Sequence, residues 1–245
     1  LAVCGDPPVL ASGSRDHTIR LWELSTLEWL PTKAMFPMVS QIAPLIATPG
    51  VSPDLVSRIE RAMQHRDRLT HMGSISTTAS ETFMKHNTNR GFEINREVQR
   101  GQIKLYKKYG IPVRRASIMT AFGCNFEGEI APQLVVDRLK EILNIADEEG
   151  TPIDILSIAD TMGWAAPNGI KQVVGKVREI WPDKRICLHL HDTRGMGVAN
   201  VYAGLEMGVD LFDSSVAGLG GCPFAALKGA AGNVCTEDVG FLCNE

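Results

Sequence analysis

No apolar run in the 245 residues approaches the roughly 18 to 20 that a membrane span needs, so no crossing of a bilayer is expected. Basic charge is not in excess either. The formal net charge is -3, which leaves no overall positive field to recruit nucleic acid or anionic lipid. The six cysteines stand at 4, 124, 187, 222, 235 and 243, and none forms a Cys-x-x-Cys pair. That spacing argues against a structural zinc knuckle, and such scatter in a chain of this size favours free thiols in a reducing compartment over a disulfide framework. The opening residues lack a basic flank and a long apolar segment, so they do not read as a signal peptide. An initiator Met is also lacking, and the expectation is a chain incomplete at its start.

What is present is ordinary globular material. At 44% hydrophobic and 22% charged residues, the chain can bury the core of one large domain or two small ones. From residue 54 the sequence alternates helical and strand patterns. Helical spacing is predicted over Asp54–Gln64, Phe92–Tyr109, Pro132–Glu149, Gly169–Trp181 and Met196–Met207. Strands are predicted over Leu69–Thr78, Val113–Ala121, Pro152–Ile158, Arg185–His191 and Val209–Ser214. Repeated strand–helix units with short loops call for a parallel sheet and right-handed crossovers. Polar residues fall at the C-terminal ends of successive strands: Thr120 with Gly123-Cys124, Asp160-Thr161, His189 and His191, and Asp213-Ser214. A barrel gathers those ends into one mouth, whereas a doubly wound sheet uses only its switch point. The expected fold is therefore an α/β (β/α)8 TIM barrel, incomplete for want of its first strands and closing helices.

Residues 1–35 read as foreign to that pattern. Val9 to Leu24 makes a strand, a Gly/Ser/Asp turn and a second strand, and it resembles a single WD40 repeat. No second copy follows at a spacing of about 40, and a lone blade cannot bury a propeller core; an ordinary hairpin or an extraneous segment is the plainer reading. Residues 25–53 carry Pro31, Pro37, Pro44, Pro49-Gly50 and Pro53, so the expected division is 1–35 and 36–245.

The stretch Leu188 to Asp238 carries the chemistry. His189 and His191 are two apart on a strand, which puts both imidazoles on one face and suits a divalent metal completed by oxygen ligands, Mn²⁺ or Mg²⁺. Two buried histidines satisfied by hydrogen bonds are the alternative. Cys222 follows Gly218-Leu-Gly-Gly, so its thiol can exchange protons on a flexible loop, or it is an incidental small residue in a turn. Asn233 offers a neutral oxygen ligand or a turn cap, with Glu237 and Asp238 as first-turn helix charges. Asp160 can orient a ligand or water, or cap a helix. Ser80-Glu81 reads as a solvated helix start.

Together these residues resemble the hydroxymethylglutaryl-CoA lyase family. Ser215-Val-Ala-Gly-Leu-Gly-Gly-Cys-Pro-Phe224 looks like its cysteine signature and Leu188-His-Leu-His-Asp-Thr193 like its metal-binding strand. Asp160-Thr-Met-Gly, Thr77 to Asn87, Phe122 to Gly128 and Gly232 to Asp238 fall in the family's order, from about residue 68 onward. The resemblance implies His189, His191 and Asn233 as metal ligands for Mg²⁺ or Mn²⁺. It implies Cys222 as the acid/base thiol and catalytic roles for His189 and Asp160. The implied reaction is retro-Claisen cleavage of an acyl-CoA to acetyl-CoA and a keto acid such as acetoacetate, in leucine catabolism and ketone-body metabolism. The expected partner is the acyl-CoA, with a homodimer left open and neither nucleic acid nor membrane expected; the family has mitochondrial and cytoplasmic members. The His-x-His strand is shared with Claisen-type synthases and carboxyltransferases, which remain the alternative enzyme class, and an inactive fragment or WD40-type interaction protein is the non-enzymatic one. The family also begins with a strand ending in Arg-Asp-Gly. Arg15-Asp16 copies two letters, but His17 stands where Gly is expected. Two imidazoles and an amide without that carboxylate predict weak metal binding and little turnover, and Asn233 stands two residues further from Cys222 than expected. An open barrel edge is expected to invite aggregation.

Overall fold

The computed structural model describes residues 70–222 and 231–244, with five short strands between residues 3 and 36. Four of these, β1 (Val3–Cys4), β2 (Val9–Gly13), β3 (Ile19–Glu23) and β4 (Glu28–Leu30), form an antiparallel sheet in sequence order. The hairpin read at residues 9–24 is the β2–β3 pair. Strand β5 (Met35–Phe36) pairs in parallel with β6 (Thr70–His71). The helix expected over residues 54–64 lies outside the described residues.

The body of the molecule is a five-stranded parallel sheet with helices between its strands. In chain order it runs β7 (Gly73–Thr78), α1 (Glu81–Thr88), α2 (Phe92–Lys108), β8 (Val113–Met119), α3 (Pro132–Glu148), β9 (Ile155–Ala159), α4 (Pro167–Ile180), β10 (Arg185–His189), α5 (Gly197–Glu206) and β11 (Leu211–Asp213), followed by α6 (Thr236–Leu242). Among the described residues spatial order follows sequence order, β7 to β11, as five successive units of a (β/α)8 barrel require. Alternation along each strand sends Ile75, Ala116, Ile118, Leu156, Ile158, Ile186 and Leu188 into one apolar core with Leu139, Ile142, Val173 and Val177 of the helices. Each such buried Ile, Leu or Val side chain is worth about 1.5–3 kcal/mol. Among the described residues no helix is long and apolar enough to cross a membrane.

The strand ends shift from the sequence expectation for identifiable reasons. Strand β9 begins at Ile155 rather than Pro152, because ladder bonds start where Asp154 donates its N–H to Arg114 and accepts from Arg185. Val209 closes α5 by donating to Gly204, so β11 starts only at Leu211. Strand β10 stops at His189 because His191 leaves the ladder to bridge Asn233 instead. Helix α1 is a full helix, capped by the Ser80 hydroxyl accepting from Phe83 N–H at 3.0 Å.

One edge of the sheet is not bare. Three side-chain amides of α2 take the outward backbone groups of β7: Gln99 accepts from Ser76 N–H (2.9 Å), Asn95 donates to Ser76 C=O (3.0 Å) and Gln102 donates to Ser74 C=O (2.8 Å). All three amide residues are buried. The expected aggregation-prone edge is thus corrected on this side: polar groups that would template another strand are already bonded.

Candidate functional site

The C-terminal ends of the five strands carry the polar residues. At the end of β8, Thr120 adopts φ 55°, a left-handed conformation that a β-branched residue rarely takes. The strain is held by bonds on every side. Thr120 N–H donates to Thr161 Oγ1 at 2.8 Å, its hydroxyl meets Thr78 Oγ1 at 2.7 Å, and Ser80 N–H donates to it at 3.2 Å. The ends of β7, β8 and β9 are tied together in this way.

The two histidines lie beyond that tie. Their rings meet edge-on with centroids 5.1 Å apart, so the spacing of two does bring them together although only His189 belongs to the strand. His191 is buried, and its Nδ1 is 2.9 Å from Asp160 C=O and 2.8 Å from Thr161 C=O. Two carbonyls can only accept, so Nδ1 carries the proton and Nε2 keeps a lone pair. Burial, then the neighbouring His189, lower the pKa of His191 and favour its neutral form. His189 is about one-third exposed, with Nδ1 3.4 Å from Asp213 Oδ2.

Asp213 is the anionic centre of the barrel interior. Arg115 of β8 reaches it past Ser157 Oγ (2.8 Å) and Cys187 Sγ (2.9 Å). Burial alone would raise the Asp213 pKa, but the bond from His189 and the Arg115 charge hold it below the usual carboxylate range. The same burial, with Asp213 nearby, pushes the Cys187 thiol up to about 12. Sequence reasoning noted Asp213 only as a strand-end residue and missed Arg115. The signal for Arg115 was alternation: of the pair Arg114-Arg115, one side chain is 58% and the other 13% exposed.

Asp160 is divided between two tasks. Its Oδ1 accepts from Trp164 N–H (2.7 Å) and Ala165 N–H (3.1 Å), a turn cap. Its Oδ2 is buried without a protein partner. Burial raises its pKa to about 6 against the pull of those N–H donors. Asn233 has the same division: Nδ2 donates to Leu219 C=O at 2.8 Å, and buried Oδ1 has no protein partner. An unpaired buried acceptor is costly, and a bound cation or its water would relieve it.

Cys222 packs against the cluster of Phe83, Cys124 and Met162, as Met119 and Trp164 also do, on the β8–β9 side of the mouth. Its loop is joined to the Asn233 segment at close quarters. A Cβ on Gly220 would lie 2.7 Å from Asn233 Nδ2, and one on Gly232 would lie 1.8 Å from Gly220 O. At the root of the loop, Ala217 N–H donates to the Glu237 carboxylate (3.0 and 3.2 Å). The structure therefore pairs His191 with His189 on one side and with Asn233 on the other, and Asp160 meets His191 through its main-chain carbonyl. Among the described residues no three His, Cys, Asp or Glu side chains converge on one point. The uncommitted acceptors near this bridge are the His191 Nε2 lone pair and the Asn233 amide oxygen.

A family model described as HMGL-like matches residues 32–244. The chain is 36% identical over 171 residues to the cytoplasmic 3-hydroxy-3-methylglutaryl-CoA lyase of Homo sapiens, covering 70% of this chain and 44% of that protein. It is also 36% identical over 171 residues to the mitochondrial hydroxymethylglutaryl-CoA lyase of Arabidopsis thaliana, covering 70% of this chain and 35% of that one. Among solved structures, the hydroxymethylglutaryl-CoA lyase of Pseudomonas aeruginosa aligns with TM-score 0.65 and 32% identity, over 76% of this chain and 58% of that chain. A lyase from Acinetobacter baumannii, in complex with coenzyme A and 3-methylmalate, aligns with TM-score 0.63 and 32% identity over 76% and 56% of the two chains. The chain spans about half the length of the curated relatives it matches. These matches bear out the lyase resemblance; the WD40 resemblance of residues 9–24 is not borne out.

Proposed function

The chain belongs to the HMGL-like family, and from that premise we propose that it is a divalent-metal-dependent carbon–carbon lyase. Its substrate would be a 3-hydroxy-3-methylglutaryl-CoA-like acyl-CoA, cleaved to acetyl-CoA and a keto acid such as acetoacetate. The observation that carries the reading is the pairing of His191, whose Nδ1 is held by two carbonyls, with the unpartnered Oδ1 of Asn233 at the same bridge. His189, His191 and Asn233 would hold the ion, and residues 36–245 form the unit that carries them. Bound Mg²⁺ or Mn²⁺ would supply Lewis acidity to the substrate's tertiary hydroxyl and a neighbouring oxygen. Asp160, with a pKa of about 6, receives the hydroxyl proton. The deprotonated hydroxyl then collapses to the keto-acid carbonyl as the C2–C3 bond breaks, the electron pair stays on C2 as the thioester enolate, and the Cys222 thiol protonates C2 to give acetyl-CoA. Family relatives named as cytoplasmic and mitochondrial lyases support either compartment.

Isothermal titration with Mn²⁺, run beside a coupled assay for acetyl-CoA release, tests the reading. Cys222→Ser should abolish release and leave Mn²⁺ binding unchanged, and His191→Ala should abolish binding. Acetyl-CoA release that survives Cys222→Ser, or Mn²⁺ binding indifferent to His191, would overturn it.

A further inference from the structure

We propose that Asp213 and Arg115 are positioning residues that fix the orientation and tautomer of His189. The inference rests on the reading of His189 as a metal ligand. Asp213 stands directly opposite His189 in the parallel register of β10 and β11, with Oδ2 3.4 Å from Nδ1. An ionised carboxylate only accepts, so Nδ1 is the protonated nitrogen and Nε2 is left to face a cation.

Arg115 determines where that carboxylate can sit. Its NH2 group contacts Asp213 Oδ2, Ser157 Oγ and Cys187 Sγ. Four neighbouring strands, β8 to β11, thus each lend one inward side chain to a single hydrogen-bonded row. Arg115 is anchored on the rigid interior of the sheet rather than on a loop, and a guanidinium fork resists rotation where a lysine would not. The two imidazoles are consequently oriented by different means. His191 is fixed by main-chain carbonyls of the Asp160-Thr161 turn. His189 is fixed by a charged side chain, which also raises the donor strength of the opposite ring nitrogen. No residue of this row belongs to the Cys222 loop, so the row can set the ligand before substrate arrives.

Long-range ¹⁵N–¹H spectra of the imidazoles in the metal-free 245-residue chain give a direct reading. The wild type should show His189 as the Nδ1–H tautomer. The paired variant Arg115→Met/Asp213→Leu removes both charges together, and such replacement of a buried pair by apolar groups is often neutral for stability. It should leave the thermal midpoint and the His191 signals in place. His189 should then shift toward the Nε2–H form, with the Mn²⁺ dissociation constant, read from the electron paramagnetic signal of free Mn²⁺, raised about tenfold or more. A merely structural pair would move the midpoint and spare the tautomer. His189 found as Nε2–H in the wild type overturns the proposal without recourse to any variant, as does a folded double variant with unchanged tautomer. Absence of Mn²⁺ binding by the wild type would sink the ligand reading instead, and the tautomer measurement would still decide whether Asp213 orients His189.

Discussion

Replacing Gly232 by alanine should lift the Cys222 loop away from Asn233. The added Cβ would lie 1.8 Å from the carbonyl oxygen of Gly220, 2.5 Å from its carbonyl carbon and 2.7 Å from Gly218 O. Comfortable carbon–oxygen contact needs about 3.3 Å, so the two segments must part by about 1.5 Å. Every atom in the way is backbone, so no side chain can rotate to relieve the clash. Overpacking of this kind costs about 1–3 kcal/mol. The simplest escape breaks the bond from Asn233 Nδ2 to Leu219 C=O, with a loss of about 1 kcal/mol. The bonds at the loop root, between Ser215 and both Val234 and Thr236, need not break, so the damage should stay local. If opening becomes easier by about 2 kcal/mol, the open population rises roughly thirtyfold. Alkylation of Cys222 by iodoacetamide, followed by mass spectrometry with exposed Cys243 as internal reference, should accelerate by a similar factor. Hydrogen exchange at Gly218 and Leu219, whose N–H groups bond Ser215 and Val216, should quicken with it. An alanine variant with wild-type alkylation, exchange and melting temperature would refute the close approach of the two glycine turns.

Two further outcomes follow from the buried polar groups. Asp160 is held near pKa 6 by burial, above its ordinary value of about 3.9. The folded chain therefore binds this proton more tightly than the unfolded one, and stability from Asp160 is greatest below pH 4 and falls as pH rises through 6. Over that window the melting temperature of Asp160→Asn should rise relative to wild type, by an amount equivalent to about 3 kcal/mol at most; a difference independent of pH would disprove the shifted carboxyl. Gln99→Leu leaves Ser76 N–H without its acceptor at the β7 edge, at a cost of about 1–3 kcal/mol. Its melting temperature should drop by several degrees and light scattering should report self-association, whereas a monomeric variant of wild-type stability would show that the amides of α2 do not guard that edge.

Much of this molecule is legible in its sequence because the responsible forces are local. Helical spacing of apolar residues placed α2 and α3 to within a residue or two, and continuous apolar runs marked strands covered on both faces. The signatures around His189, His191, Cys222 and Asn233 identified the family because their residues are close together in the chain. A single resembling stretch was less dependable. Strands β2 and β3 pair antiparallel as expected, but alternation and a Gly/Ser turn in the sequence specify a hairpin in any protein, and the WD40 likeness went no further.

What tertiary structure alone decided is which atom of each polar side chain is already committed. Nothing in the sequence shows that Asp160 spends one oxygen on a turn and leaves the other buried and unpaired. Nor does it show that Asn233 divides its amide between Leu219 and an open acceptor position. Arg115, Ser157, Cys187 and Asp213 are dispersed over 99 positions, from 115 to 213, and become one row only because four strands lie side by side and the Arg115 side chain reaches across them. The sequence by itself determined the elements, the family and the ligand candidates, since periodicity and contiguous motifs are written along the chain. The structure decided the hydrogen-bond partners and the supports of the histidines, because hydrogen bonds between distant residues depend on which strands are neighbours.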